Sequence, residues 1–168
     1  MYRRGLTLLL KRFAKKLIQG PKSSSESYIA HLRKLGIKVG EDVTIYAPTK
    51  TTIDECYPWM ISIGDHVRIT QGVTILAHDY SWSLFKQTTG GIFGASGKVE
   101  IGNNVFVGSN SNLIAPLNIS DSVYICAGTT VTNDLDEFDF CIGRSRQWVK
   151  KDGAKKYLKN EQMFEKDT

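Results

Sequence analysis

Aliphatic residues recur at every sixth position from Ile101 to Val131: Ile101, Val107, Leu113, Ile119, Ile125 and Val131. Small or polar residues follow most of them, and turn formers come two and three places on, as in Gly102-Asn103-Asn104 and Ser120-Asp121-Ser122. A period of six fits neither a helix of about 3.6 residues per turn nor the two-residue alternation of a half-buried strand. It predicts a chain that makes a strand of two or three residues, turns a corner and repeats. That is the pattern of a solenoid, and hexapeptide repeats in particular imply a parallel β-helix. Three such segments make one triangular coil. Residues 18 apart are therefore expected to stack: Ile101 on Ile119, Val107 on Ile125 and Leu113 on Val131.

The same pattern is present upstream at Val39 and Ile45, and again at Ile63, Ile69 and Ile75. It blurs between Thr51 and Ser62, where Pro58, Trp59, Met60 and Ile61 predict a coil with an outward bulge. After Ile75 the next aliphatic in phase is due near residue 81, yet the ladder resumes only at Ile101. Roughly residues 81–100 are thus an inserted loop, holding Trp82, Phe85, Phe93 and Gly90, Gly91, Gly94 and Gly97. Long loops inside compact repeats are usually functional or disordered, and the aromatics here argue that the loop packs against something. Beyond Val131 the pattern frays, with Phe138, Phe140 and Ile142 expected to end the core and Trp148-Val149 to pack back.

The flanks follow a helical period. Leu6, Leu9, Leu10, Phe13 and Leu17 form one face of a basic amphipathic helix over residues 2–18. Gly20-Pro21 ends it and a polar linker follows. A second helix is predicted over Tyr28 to Leu35, capped by Ser25 or Ser27 and stopped by Gly36. A C-terminal helix is expected from Lys150 to about Phe164. The organisation is a helical arm (1–36), a β-helix domain (37–149) and a C-terminal segment (150–168).

Charge changes this picture in one respect. Residues 1–38 carry a net charge of +9 within a total of +5, so the remainder sums to −4. The basicity belongs to the arm, which argues against a nucleic-acid-binding body. The arm has two open readings: contact with an anionic membrane surface, or packing on the body or a neighbouring subunit. The odd cysteine count (Cys56, Cys126 and Cys141) and the shortness of the Leu6–Leu10 run point to a cytoplasmic protein, with peripheral contact at the inner face of the membrane as the alternative.

The ordered set Ile63-Gly64-Asp65, Thr74-Ile75-Leu76-Ala77-His78-Asp79-Tyr80, Val99-Glu100-Ile101-Gly102-Asn103-Asn104-Val105-Phe106-Val107-Gly108 and Ala127-Gly128-Thr129-Thr130-Val131-Thr132 resembles the hexapeptide-repeat acyltransferases, most closely the bacterial O-acetyltransferases of sugars and surface polysaccharides. The resemblance covers about residues 37–150. It implies a left-handed β-helix, although the usual rule for parallel crossovers would give the opposite hand. It also implies a homotrimer with active sites between subunits, acetyl-CoA as co-substrate, no metal, and His78 as general base. Histidine suits the removal of a hydroxyl proton during attack on a thioester. His78 stands at the mouth of the inserted loop. His66, 12 residues earlier, falls on another face and is assigned no chemistry.

For coenzyme A the resemblance carries over Ser109, Ala127, Thr132 and Asn133, with Lys150, Arg144 and Arg146 near the phosphates. On the acceptor side, Asp54 corresponds to an acidic acceptor-binding residue of sugar-acetylating relatives. Asp79 either orients the imidazole or shapes the loop mouth, and Trp82 either stacks on a sugar ring or anchors the loop. The acceptor implied is a small or lipid-linked saccharide. The chain departs from the family pattern at Asn133, where lysine is usual, at Leu117, at Cys126, and over Gly143 to Gln147. Three other readings stay open: N-acetylation of an amino-sugar or antibiotic, a non-catalytic scaffold that has lost coenzyme A, and a metal hydratase of the γ-carbonic anhydrase type. The last needs three converging histidines, and His31, His66 and His78 lack that spacing.

Overall fold

The computed structural model describes residues 14–79, 90, 96–143 and 149–150. Four coils are formed. The first comprises β1 (Lys38–Val39), β2 (Thr44–Ile45) and β3 (Thr52–Ile53), and the second β4 (Ile61–Ile63), β5 (Arg68–Ile69) and β6 (Thr74–Leu76). The third comprises β7 (Val99–Ile101), β8 (Phe106–Val107) and β9 (Asn112–Ile114), and the fourth β10 (Leu117–Ile119), β11 (Tyr124–Ile125) and β12 (Thr130–Val131). Successive strands go in rotation to three sheets, ordered β1-β4-β7-β10, β2-β5-β8-β11 and β3-β6-β9-β12, and all pairs within these runs are parallel. A chain that visits three parallel sheets in rotation is a three-sided coil, and this fits the left-handed β-helix implied by the resemblance. The 18-residue stacking holds at Ile101 on Ile119, Val107 on Ile125 and Leu113 on Val131.

The sixth-position aliphatics point inward. Ile45, Ile69, Val107 and Ile125 of one sheet, and Ile75, Leu113 and Val131 of another, are at most 1% exposed. Burying such a side chain contributes about 1.5–3 kcal/mol each, so the stacked rows hold the fold together. On the outer face of the middle sheet, Phe106, Tyr124 and Phe140 stack with ring centroids 4.7 and 4.8 Å apart. The core therefore ends differently from expectation. In β13 (Phe140–Cys141), Cys141 takes the inward place, Phe140 faces out and Ile142 is exposed. Strand β14 (Val149–Lys150) then pairs antiparallel with β13, so residue 150 is strand where a helix was expected.

The Ile-Gly-Asx motif has a structural cause. Asp65 Oδ1 accepts from the Glu41 N–H at 2.7 Å, Asn103 Oδ1 from the Asp65 N–H at 2.8 Å, and Asp121 Oδ1 from the Asn103 N–H at 2.7 Å. Each side chain thus binds the backbone of the coil below at one corner. Gly64 leaves space for this: a Cβ there would lie 2.7 Å from Asn103 Oδ1 and 2.6 Å from the Gly102 carbonyl. At the same corner Asp42, His66, Asn104 and Ser122 hold left-handed φ values of 51–60°, each three residues past its strand. Asp and Asn tolerate that region better than most residues, which is why they recur there.

Helix α1 (Ser25–Leu35) covers the first coil, with Tyr28 and Leu32 wholly buried. Its cap is Ser24, whose Oγ accepts from the Ser27 N–H at 3.1 Å, rather than Ser25 or Ser27. Gly36 ends it at φ 106°. Arg33 Nε donates to the Val39 carbonyl at 2.9 Å, Ser25 Oγ accepts from the Ile45 N–H at 2.9 Å, and Lys22 Nζ donates to the Thr51 carbonyl at 3.0 Å. Residues 14–19 are helical, with Leu17 and Ile18 exposed. No helix among the described residues is long and apolar enough to cross a membrane. The rest of the arm's apolar face, the loop aromatics Trp82, Phe85 and Phe93, Trp148, and the C-terminal helix beyond Lys150 lie outside the described residues.

Candidate functional site

The site forms at the corner that leaves the third sheet, where the hexad pattern is most disturbed. Asp54 follows β3 directly, and its N–H continues the ladder to the Ile75 carbonyl at 2.9 Å. Its side chain is drawn inward. Oδ1 accepts from the Cys56 N–H at 2.9 Å, the two-residue turn that aspartate favours. Oδ2 accepts from the Ala77 N–H at 3.1 Å and contacts Nδ1 of His78 in a very short hydrogen bond. The side chains of His78 and Asp54 are 11% and 3% exposed. Burial pushes the Asp54 carboxyl up, but the Cys56 N–H, the His78 imidazole and the Ala77 N–H together hold it below the usual carboxylate range. A buried carboxylate on one ring nitrogen fixes the ring's orientation and the tautomer with the proton on that side, leaving the other nitrogen to act as a base.

Two further contacts frame the imidazole. Tyr57 meets it edge to face, with ring centroids 4.8 Å apart, and Trp59, two-thirds exposed, meets Tyr57 in the same way at 5.6 Å. The backbone of His78 forms an antiparallel bridge with Ser96, and the Gly97 N–H donates to the Ala77 carbonyl at 2.9 Å. The inserted loop thus leaves and returns beside His78. Beneath the corner, Glu55 accepts from the Tyr28 hydroxyl at 3.2 Å and meets His31 Nε2 at 3.4 Å. Burial, followed by the Glu55 charge, raises the Tyr28 phenol above its ordinary value.

The expected site residues separate into groups. Asp54, expected on the acceptor side, is also the partner of the imidazole. Asp79, expected there too or as the orienting carboxylate, is exposed, and the orienting contact is made by Asp54. Thr132 and Asn133 follow β12 at the same corner as His78, two coils further on and thus about 10 Å along the axis. With Lys98, Glu100, Leu117 and Asp134 they line a cleft of about 420 Å³, a size that suits part of an extended ligand. Ser109 and Ala127 lie at a different corner, between the second and third sheets. There Ser109 Oγ donates to Thr70 Oγ1 at 3.2 Å, and Ala127 is exposed. Lys150 is described only as part of β14, and Arg144, Arg146 and Trp82 lie outside the described residues. His66 bonds Asp42 at 2.9 Å at the first corner, away from His78.

Sequence reasoning did not pair Asp54 with His78. The available signal was their shared position at the end of consecutive third-sheet strands, which the disturbed phase over residues 51–62 concealed. Asp54, Cys56 and His78 also each offer a metal-ligating atom, and these atoms lie within 4.8 Å of one another.

Residues 98–133 match the family described as the hexapeptide repeat of succinyl-transferase. The chain is 32% identical over 120 residues to the bifunctional protein GlmU of Acetivibrio thermocellus, covering 69% of this chain and 23% of that protein. It is 54% identical over 59 residues to GlmU of Streptococcus uberis, covering 35% of this chain and 13% of that protein. The chain therefore spans less than a quarter of either relative. Among solved structures it is similar to a maltose O-acetyltransferase from Clostridium difficile 630 (TM-score 0.50, 22% identity, 86% of this chain and 87% of that one). It is also similar to a hexapeptide-repeat acetyltransferase from Vibrio cholerae (TM-score 0.58, 16% identity, 83% and 86%). The resemblance to hexapeptide-repeat acyltransferases stands on both the repeat and the fold.

Proposed function

We propose that this hexapeptide-repeat chain is an acetyl-CoA-dependent acetyltransferase that acylates a saccharide hydroxyl, with His78 as general base and Asp54 as the residue that positions it. The observation that carries the reading is the buried Asp54 carboxylate on Nδ1 of His78, at the root of the inserted loop. A solenoid corner has no structural need for a buried carboxylate–imidazole pair, and isolated burial of such groups is costly. The pair favours an enzyme over a scaffold.

In this reading Nε2 of His78 takes the proton of the acceptor hydroxyl as its oxygen attacks the thioester carbonyl. The C–O bond forms, the tetrahedral intermediate collapses, the C–S bond breaks, and the proton passes to the departing thiolate. A backbone N–H stabilises the oxyanion. The imidazolium formed in transit lies against the Asp54 carboxylate, which lowers the barrier electrostatically. The pantetheine arm of coenzyme A follows the groove past Thr132 and Asn133, with Ser109 and Ala127 contributing from a neighbouring corner. Lys150, Arg144 and Arg146 meet the phosphates. The prism is left-handed and assembles as a trimer, so that the groove lies between two subunits.

The test is thiol release from acetyl-CoA over a panel of saccharide acceptors, comparing the native chain with His78→Ala. Acceptor-dependent release that is lost in the variant supports the reading. Equal turnover by both proteins removes His78 from the chemistry.

A further inference from the structure

We propose that Asp54, Cys56 and His78 form a binding site for a divalent cation of the zinc type, and that its occupation switches the His78 base off. The effect on catalysis rests on the function proposed above; the binding does not.

The three donors converge from two coils. Asp54 and Cys56 belong to one turn, closed by the Cys56 N–H on Asp54 Oδ1 at 2.9 Å, and His78 arrives from the next coil. One ligand atom from each lies within 4.8 Å of the others. Around tetrahedral zinc, with bonds of about 2.0–2.3 Å, ligand atoms stand about 3.3–3.8 Å apart. The Asp54–His78 pair must therefore spread out of hydrogen-bond contact while the Cys56 sulfur closes in. Cys56 is exposed on a turn, so the closing movement meets little packing.

The donor types select the metal. Thiolate, imidazole and carboxylate together are a zinc set, whereas calcium and magnesium take oxygen donors. The carboxylate is already held by the Cys56 and Ala77 N–H groups, the outer support that ligating carboxylates require. Binding releases the Cys56 thiol proton to solvent. The imidazole coordinates through one nitrogen and keeps its proton on the other, and water fills the fourth place. A more exposed carboxylate–histidine pair shows what is special here: Asp42 carries His66 at 2.9 Å but is also taken by Arg68 at 2.6 Å, and no sulfur accompanies it. Among the described residues no other set of three His, Cys, Asp or Glu side chains converges.

A metal on the imidazole or its carboxylate displaces the hydrogen bond that prepares the base, so occupied protein cannot accept the acceptor's proton at that ring. Zinc thus acts as a reversible inhibitor.

The full chain, freed of metal with a chelator, is titrated with Co²⁺ and followed by absorption. One equivalent is expected to give the near-ultraviolet thiolate-to-cobalt band and intense visible bands of a four-coordinate site, both abolished by added Zn²⁺. Cys56→Ser is expected to lose the near-ultraviolet band and to bind Zn²⁺ at least tenfold more weakly. Zn²⁺ should also protect Cys56 of the native chain from alkylation, a readout that needs no variant. Absence of the thiolate band together with unprotected Cys56 overturns the site. Protection without inhibition of an acetyl transfer that the metal-free protein performs overturns the switch. If no acceptor is acetylated by the metal-free protein, the function proposed above fails while the spectroscopic result still decides the site.

Discussion

The third and fourth coils and the corner at Asp54–His78 are built by the same repeat, yet they obey it to different degrees. From Ile101 to Val131 each sixth position is aliphatic, each first corner carries an Asx side chain (Asn103 and Asp121), and the register is unbroken. At the corner that leaves the third sheet the repeat is stretched by the short turn Pro58–Met60 and then interrupted by the inserted loop. A buried carboxylate and a largely buried imidazole sit there beside the aliphatic layer. The contrast is one of roles. Regularity repeats a stabilising layer, and a layer that is identical everywhere cannot place one particular base. The irregular coil gives up that uniformity and gains a single site.

The contrast breaks down if variants of the two regions have the same phenotype. The largest effect is expected from His78→Ala, which should lower kcat for acetyl transfer by about 10²–10⁴-fold while leaving the thermal midpoint nearly unchanged. Asp54→Asn should keep the turn but lose the charge and lower kcat by about 10²–10⁴-fold, no more than the loss of His78 itself; unchanged steady-state kinetics across pH would mean that the carboxylate is only structural. Leu113→Ala in the regular ladder should cost about 2–5 kcal/mol in urea unfolding yet retain kcat per folded molecule. Gly64→Ala, which thrusts a methyl at the Gly102 carbonyl, should cost about 1–3 kcal/mol in the same measurement.

Acid sharpens the comparison with the smallest effect. The Asp54 carboxyl is held below its ordinary value in the native state. Its hydrogen bonds therefore contribute fully above the ordinary carboxylate value of about 4, and stability declines as pH falls below that toward the native value. Denaturation midpoints at about pH 6 and pH 3 should differ more for the native chain than for Asp54→Asn. Equal differences would mean that the pair contributes no pH-dependent stability.

The fold was legible because inward places recur at fixed spacing, and residues such as Val107 and Ile125 can be matched without knowing anything distant. The end of the core was less so. Cys141 is small and polarisable, and its burial, with Cys126 and Asp139 nearby, pushes its thiol up to about 11; the neighbouring Phe140 looked the better core residue by size but faces outward in an aromatic stack. His78 was recognisable by its place before the interruption. Its partner was not, because Asp54 and His78 are joined across two coils through a turn whose length no periodic rule specifies. The groove residues Thr132 and Asn133 were brought to the same corner as His78 by register alone, whereas Ser109 and Ala127 were carried to a different one.

Lys22, Ser25 and Arg33 bind the Thr51 carbonyl just before β3, the Ile45 N–H in β2 and the Val39 carbonyl in β1. A stack of parallel coils has no inherent length, since its first coil offers every sheet the same open row that each coil offers its neighbour. An uncovered row recruits further chains edge to edge. By binding one group beside each row, the segment around α1 covers the open end of the stack. Removing that segment is therefore expected to promote edge-to-edge self-association of the coils.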